Sequence, residues 1–192
     1  MRYLDSTDGL HAHASMFERK TLLLLDFHGA TSVAAQPFTL SYELSGRVRH
    51  HTPDFLAWVD GVPTVINCRP ATLVKPRLLE DVAALGAMCL SRGWHNTLVV
   101  GYPPPPLAAV DAWTAHSTAQ DVFGYGEDLI DRLSGGPLRF DELTDGFEAT
   151  AVSRAVAQLL LWGRELSVNV AEPFDDDTLV YLPEHFSGGG AV

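Results

Sequence analysis

The chain carries little positive charge for its size. Its 192 residues include 13 lysines and arginines against 24 aspartates and glutamates, which gives a formal net charge of -11. Such a surplus of negative charge keeps a protein soluble and opposes broad, salt-sensitive adhesion to DNA. We therefore expect that any nucleic acid is bound at a local basic patch or is delivered by a partner protein.

Cysteines and long apolar runs are also scarce. The two cysteines, Cys68 and Cys89, lie in apolar stretches, which is typical of buried thiols rather than of a disulfide or a zinc site and indicates a reducing compartment. No apolar run approaches the roughly 18 residues of a membrane span, and the densest one, at residues 21–27, is interrupted by Asp26. The first 13 residues are polar and acidic, unlike a signal peptide. These features predict a cytoplasmic protein without a membrane partner.

The sequence has no internal repeat, no heptad pattern and no glycine-rich nucleotide-binding loop between a strand and a helix. Its first half instead alternates helical and strand-like segments. Helices are predicted at 14–27 and 77–92, and strands at 37–42, 54–59, 63–67 and 96–101, with 44–49 as a polar hairpin connection. This order predicts an α/β fold, a mixed sheet flanked by helices, in a domain of residues 1–102.

A run of four prolines after Tyr102 interrupts this pattern. Residues 103–106 favour a stiff extended spacer between two domains, although they could instead be bound by a proline-recognition module. Beyond them, helices are predicted at 141–143 and 150–162, and strands at 166–170 and 178–182. Two helices followed by a β-ribbon predict a small winged-helix-like domain at residues 107–186, with a disordered tail at 187–190.

One pair of neighbouring segments combines residue types used in phosphodiester hydrolysis. Asp54 follows Pro53 at the start of a predicted strand, and Asn67-Cys68-Arg69 ends the next strand. Residues two apart on a strand point to the same face, so Asn67 and Arg69 can both meet Asp54. Hydrolysis by a hard cation needs oxygen ligands from different elements and a positive charge near the developing negative charge. Asp54 is the best candidate for the central ligand, although a Pro-Asp pair is also typical of a structural turn.

Other polar residues are also candidates for this site, but each has a structural or solvent-exposed interpretation as well. Glu18, on the first predicted helix, is either a ligand or a solvent-facing glutamate paired with Lys20. Glu43 is an alternative carboxylate because it precedes the central aspartate on the strand or hairpin. Of His50 and His51 only one can face the site, since adjacent strand side chains point to opposite faces, and solvated hairpin histidines are the commoner arrangement.

Taken with Glu18, this arrangement resembles the TnsA family, the endonuclease subunit of heteromeric transposases, and in particular its actinobacterial type. That family has a restriction-endonuclease-like fold with a helix glutamate, an aspartate at a strand start, and a glutamine or acidic residue two positions before a lysine that is followed by proline. The segments that resemble the family are 18–27, 35–38, 89–94 and 159–166, and the resemblance extends over about residues 13 to 182.

The resemblance implies a Mg²⁺ or Mn²⁺ site with three metal-holding residues. Glu18 and Asp54 would hold the metal, and Asn67 would complete the shell through its side-chain oxygen or a neighbouring backbone carbonyl. Arg69 would stabilise the transition state, so that Glu18, Asp54 and Arg69 are the implied catalytic residues. Asn67 and Arg69 depart from the family pattern. Asparagine brings no charge to a metal, and arginine cannot lose a proton, so we expect reduced metal affinity and weak activity.

The resemblance further implies a DNA endonuclease that cuts one strand at transposon ends, acting with an integrase-type transposase subunit and an ATPase regulator of transposition. Two alternatives remain: a catalytically weakened or inactive assembly and DNA-binding subunit of the same machinery, and a stand-alone restriction-type nuclease. In the second domain, the longer helix carries only Arg154 as a cation, while Asp175, Asp176 and Asp177 precede the last strand. This charge pattern favours contact with protein over contact with DNA.

Overall fold

The computed structural model describes residues 1–101, 104–117 and 120–186. The chain divides into two compact units, Met1–Tyr102 and Pro103–Val192. Among the described residues, no helix is both long and apolar enough to cross a membrane.

The first unit is built around a four-stranded sheet. In chain order, its described residues form β1 (Arg2–Leu4), β2 (Gly9–His11), α1 (Met16–Phe27), β3 (Ser32–Ala35), β4 (Leu40–Leu44), β5 (Arg47–His51), β6 (Phe55–Val59), β7 (Val62–Arg69), α2 (Pro76–Leu90) and β8 (His95–Val100). The sheet has the order β3-β6-β7-β8. Strands β3 and β7 run antiparallel to β6, whereas β8 runs parallel to β7. The predicted α/β unit, a mixed sheet flanked by helices, is confirmed.

Helices α1 and α2 pack on opposite faces of strand β7. Leu22 of α1 is buried in one cluster with Ile66, whereas Val65 is buried in another with Leu85 and Cys89 of α2. Neighbouring residues of a strand point to opposite faces, so each face of β7 is covered by its own helix. Burial of one such leucine stabilises the folded chain by about 1.5–3 kcal/mol.

The hairpin formed by β4 and β5 differs from the sequence prediction. The two strands pair around a turn at Ser45 and Gly46, whose φ angles are 54° and 74°. Two consecutive positive φ angles are typical of a type I′ turn, which matches the twist of a tight hairpin. Residues 47–49, predicted as a connection, are therefore part of β5, and the predicted strand at 37–42 begins only at Leu40.

Three short strands, β1, β2 and β3, are missing from the prediction. Each has only three or four residues, which is too short to show a clear apolar alternation. In β3 only Val33 is β-branched, yet the strand pairs with β6 from Ser32–Trp58 to Ala35–Phe55. Pairing with an existing strand, rather than local preference, makes this segment extended.

The second unit begins with a helix where a spacer was expected. In chain order, its described residues form α3 (Pro104–Thr114), α4 (Tyr125–Arg132), β9 (Leu138–Arg139), α5 (Phe140–Thr144), α6 (Thr150–Trp162), β10 (Ser167–Val168) and β11 (Leu179–Tyr181). The prediction of an extended spacer is wrong for residues 104–106, because proline fits the first turn of a helix, where its missing N–H is not needed. Tyr102, Pro103 and the predicted disordered tail at 187–190 lie outside the described residues.

The remaining predicted elements of the second unit are present. Helices α5 and α6 include the predicted segments, and β10 and β11 fall within the two predicted strands. Strand β9 adds a third member to an antiparallel sheet of order β10-β11-β9. Phe140, Leu143 and Val156 bury their side chains in the core of this unit.

Candidate functional site

The backbone of Asp54 is held at the junction of three strands. Asp54 directly precedes β6, and its N–H donates to the carbonyl of Ile66 on β7 at 3.1 Å. Its own carbonyl accepts from the N–H of Gln36, just after β3, at 2.9 Å. Because both polar groups of the backbone are bonded to neighbouring segments, the Asp54 side chain projects from a defined position at the end of the sheet.

The structure brings Asp54 and Arg69 together. The Asp54 carboxylate is buried, with only 8% of the residue exposed. Its Oδ2 accepts from the backbone N–H of Cys68 at 2.8 Å, and Nη1 of Arg69 donates to Oδ2 at 3.0 Å and to Oδ1 at 3.2 Å. The predicted convergence of the two strand ends is therefore present, and the buried negative charge is neutralised by Arg69.

Nη1 of Arg69 has a third oxygen neighbour. It also donates to the backbone carbonyl of Cys68 at 2.7 Å, so both carboxylate oxygens of Asp54 and one carbonyl oxygen surround a single cationic nitrogen. The Arg69 side chain is 37% exposed, whereas that of Asp54 is 10% exposed. The guanidinium thus lies between the oxygen cluster and solvent.

Both carboxylate oxygens of Glu18 accept hydrogen bonds at the start of α1. Its Oε2 accepts from the N–H of Ala14 at 2.7 Å, and its Oε1 accepts from the hydroxyl of Ser15 at 3.1 Å. The N–H of Glu18 in turn donates to Ser15 Oγ at 3.1 Å. Ser15 is therefore the N-cap of α1, and Glu18 reaches back to the N–H of Ala14, one residue before the cap. The capping-box sequence signal, serine followed three residues later by glutamate, is present at Ser15 and Glu18. That signal identifies a structural role for Glu18 that the sequence analysis overlooked.

The Cys68 thiol is buried and is affected by the charges of both candidate carboxylates. Burial raises the pKa of this thiol to about 12; a hydrogen bond with Thr21 lowers it in part, and the negative charges of Asp54 and Glu18 raise it further. Both carboxylates are therefore close enough to the same thiol to affect its ionisation. The predicted buried, unpaired state of Cys68 and Cys89 is confirmed.

Asn67 is the most deeply buried of the candidate residues. It is 1% exposed, and its Oδ1 lies 2.8 Å from Nε2 of His51. Its Nδ2 is buried and has no hydrogen-bond partner within the described part of the chain. Nδ1 of His51 lies 3.7 Å from Oδ2 of Asp81, so the ring is positioned from both sides.

The hairpin β4–β5 is docked on α2 by further polar contacts. The hydroxyl of Tyr42 donates to Oδ1 of Asp81, a residue that is only 7% exposed. Burial and this contact with Asp81 raise the pKa of Tyr42. Arg49 pairs with Glu80 at 2.5 Å on the more exposed side of the hairpin.

These contacts correct the expectation for the hairpin histidines. The interpretation of both as solvated is wrong for His51, whose side chain is 10% exposed because the hairpin is docked on α2. His50 points to the other face, is exposed, and bonds through Nδ1 to Ser41 Oγ at 2.8 Å. Glu43, the alternative carboxylate, is also exposed and follows Tyr42 on the opposite face of β4.

The oxygen atoms that converge at the strand ends come from one carboxylate and one backbone carbonyl. In residues 1–101, 104–117 and 120–186, no three His, Cys, Asp or Glu side chains are grouped so as to hold a metal ion. The set that does converge combines the Asp54 carboxylate with the Cys68 carbonyl, and a positively charged nitrogen already lies among these oxygens. Carboxylate and carbonyl oxygens are the ligands that Mg²⁺ and Mn²⁺ prefer.

No protein-family model matches the chain, and no curated protein matches it either.

Proposed function

We propose that the protein is a Mg²⁺- or Mn²⁺-dependent DNA endonuclease with a restriction-endonuclease-like core, acting as a TnsA-like subunit of a heteromeric transposase. The observation that carries the proposal is the convergence of Asp54, Arg69 and the Cys68 carbonyl at the ends of two adjacent strands. The order α1, β3, β6, β7, α2 and β8, with the β4–β5 hairpin inserted, supports it because it forms a mixed sheet flanked by helices, as the resemblance implies.

The side chains have distinct roles in this proposal. Asp54 and Glu18 would hold the cation together with the Cys68 carbonyl, and the side-chain oxygen of Asn67 is a further neutral donor. A bound divalent cation would supply an activated water and stabilise negative charge on the phosphate. Arg69 would bind a phosphate oxygen through its planar guanidinium. Glu18 must give up part of its hydrogen bonding to Ala14 and Ser15 to serve as a ligand.

We propose a winged helix-turn-helix for the second unit. Its order α4, β9, α5, α6, β10 and β11, with a three-stranded antiparallel sheet, supports this assignment. Arg154 pairs with Asp176, and Arg139 pairs with Asp177 at 2.9 Å, so the two arginines are already neutralised by acidic neighbours. A face with such pairs favours contact with a protein, here the transposase or ATPase partner, over contact with DNA phosphates.

A second candidate function is supported by a different observation. Both oxygens of Asp54 contact Arg69, and both oxygens of Glu18 are used at the start of α1. If these contacts are permanent, no carboxylate is left for a metal. The protein would then be a catalytically inactive assembly subunit of the same transposition machinery, with the nuclease fold retained as scaffold.

A nicking assay separates the two candidates. The substrate is DNA that carries the transposon ends, in Mg²⁺ or Mn²⁺ and with the partner transposase present. We expect weak cleavage of one strand, loss of that cleavage in Asp54→Ala, and faster cleavage in Asn67→Asp, which adds an anionic ligand. Glu43→Ala is the matched control, because it removes an exposed carboxylate of the same unit.

Absence of cleavage favours the second candidate, the inactive assembly subunit. Absence of cleavage in the natural protein, and again in the double variant Asn67→Asp with Arg69→Lys, would contradict the nuclease proposal. Cleavage without the transposase would instead favour a stand-alone restriction-type nuclease.

A further inference from the structure

The position of Arg69 limits how a divalent cation can bind to Asp54. Its Nη1 lies 2.7 Å from the Cys68 carbonyl oxygen and 3.0 and 3.2 Å from the two oxygens of Asp54. A divalent cation binds such oxygens at about 2.0–2.6 Å. A cation held by the same three oxygens would therefore need the space that Nη1 occupies.

The charges at the site also prevent Arg69 and a divalent cation from binding Asp54 at the same time. The side chain of Asp54 is 10% exposed, so its carboxylate needs a nearby positive charge to offset the loss of hydration. Arg69 supplies this charge in the structure described here. A divalent cation would supply it as well, and two positive charges at one point would repel each other strongly.

The surroundings of Arg69 allow its side chain to rotate away from Asp54. Its side chain is 37% exposed, and within the described part of the chain its guanidinium donates hydrogen bonds through Nη1 alone. An outward rotation of this side chain would open the oxygen cluster to solvent without moving a strand. The released guanidinium would then be next to the site, where a phosphate would bind.

We propose that Arg69 is an internal cation that closes the metal site, and that binding of a divalent cation and the Asp54–Arg69 ion pair exclude each other. The proposal rests on the proposed function, in which Asp54 is a metal ligand. Because the closed state competes with metal, the apparent metal affinity is lower than the oxygen ligands alone would provide. Release of Arg69 toward a phosphate is coupled to metal binding.

The test is a Mn²⁺ titration of the full-length protein without DNA, followed by calorimetry or by the electron paramagnetic resonance signal of free Mn²⁺. We expect Arg69→Ala to bind Mn²⁺ at least about tenfold more tightly than the natural protein, because the competing ion pair is gone. Asp54→Asn should abolish binding in both backgrounds. Arg49→Ala is the matched control, since it also removes an arginine from an ion pair in the same unit, and its affinity should change less than about twofold.

A second measurement uses the space left by the removed side chain. Guanidinium ion at millimolar concentration should weaken Mn²⁺ binding to Arg69→Ala and leave binding to the natural protein unchanged. If Arg69→Ala does not fold, Arg69→Gln provides the same neutralisation with a longer side chain, and the expected gain in affinity is the same.

Two results would overturn the proposal in different ways. Equal Mn²⁺ affinity of the natural protein and the Arg69 variants, still abolished by Asp54→Asn, would disprove the competition and leave the proposed metal site intact. Absence of Mn²⁺ binding in the natural protein and in every Arg69 variant would overturn the proposed metal site along with the competition.

Discussion

Nε2 of His51 lies 2.8 Å from Oδ1 of Asn67, and this contact determines which end of the Asn67 amide remains for other partners. With the proton on Nε2, the oxygen accepts one hydrogen bond from the ring and keeps a second lone pair. Asp81 contacts the other ring nitrogen, at 3.7 Å from Nδ1. His51 thus orients a buried amide that has no charge of its own.

The first prediction concerns this orientation. His51→Ala should weaken Mn²⁺ binding about tenfold, as the loss of an orienting neighbour typically does, because the freed amide can turn its nitrogen toward the cation. In the Asn67→Asp background the loss should be only about twofold, since a carboxylate presents an oxygen at either end. Mn²⁺ titration of the four proteins measures this. An equal loss in both backgrounds would show that His51 only stabilises the fold.

A second prediction separates the two roles of Glu18. Ser15→Ala removes the hydroxyl that caps α1 and should lower the free energy of unfolding by about 1 kcal/mol. Glu18→Gln keeps an acceptor for the N–H of Ala14 and should change the unfolding free energy by less than about 0.5 kcal/mol. If Glu18 also holds metal, Glu18→Gln should weaken Mn²⁺ binding about tenfold, because a neutral oxygen replaces an anionic ligand. Urea denaturation and Mn²⁺ titration check both parts, and unchanged metal affinity would limit Glu18 to capping.

The raised pKa of Cys68 predicts a loss of stability at high pH. The thiol has an ordinary pKa of 9.0, and burial raises it to about 12 in the folded protein. Below pH 9 both states keep the proton, but between 9 and about 12 only the folded state does. Unfolding then releases a proton, so the unfolding free energy should fall as pH rises, by up to about 1.4 kcal/mol per pH unit.

Cys68→Ala tests this assignment. In this variant the unfolding free energy should fall less steeply with pH, because the contribution of the Cys68 thiol is gone. Urea denaturation between pH 8 and roughly pH 11, within the window set by the two pKa values, measures this. Tyr42, whose pKa burial also raises, remains in both proteins and contributes equally. Identical slopes for the two proteins would contradict a dominant role of the Cys68 thiol.

A fourth prediction concerns DNA. With a net charge of -11, the full-length protein should bind duplex DNA no more tightly than the roughly 10⁻⁴ to 10⁻⁶ M of non-specific binding at physiological salt. Asp176→Asn with Asp177→Asn should tighten binding at least about tenfold at low salt, because Arg154 loses its partner Asp176 and Arg139 keeps only Asp141 and Glu142 of its three acidic neighbours. Fluorescence anisotropy with a labelled duplex measures both.

The matched control for DNA binding changes net charge elsewhere in the same unit. Glu127→Gln with Asp131→Asn removes two negative charges from exposed positions of α4. A gain in affinity equal to that of the Asp176 and Asp177 variant would show that only net charge matters. Tight, sequence-specific binding by the natural protein would contradict the assignment of the second unit to protein contact.

Some elements of the fold follow from neighbouring residues alone. Helix α6 matches its prediction at both ends, Thr150 and Trp162, because apolar residues at helical spacing mark its length. Strand β7 was predicted within its limits from a β-branched apolar run after the turn at Asp60 and Gly61. The N-cap of α1 at Ser15, with Glu18 three residues later, could have been predicted in the same way.

The amino-acid sequence by itself determined helices α1 and α2 and strands β6, β7 and β8 of the first unit, the buried thiols, and the adjacency of Asp54 and Arg69 at two strand ends. These features depend on residue type and on spacing along one or two neighbouring strands. Only the tertiary structure decided that Arg69 lies on Asp54, that His51 contacts Asn67, and that residues 104–106 begin a helix.

The physical reason is the distance along the chain between the partners. Tyr42 and Asp81 are 39 residues apart, and they meet because the hairpin and α2 cover the same face of the sheet. His51 is buried for the same reason, although its own neighbours in sequence are polar. Local patterns specify elements, whereas burial and the pairing of polar groups across elements depend on how those elements pack.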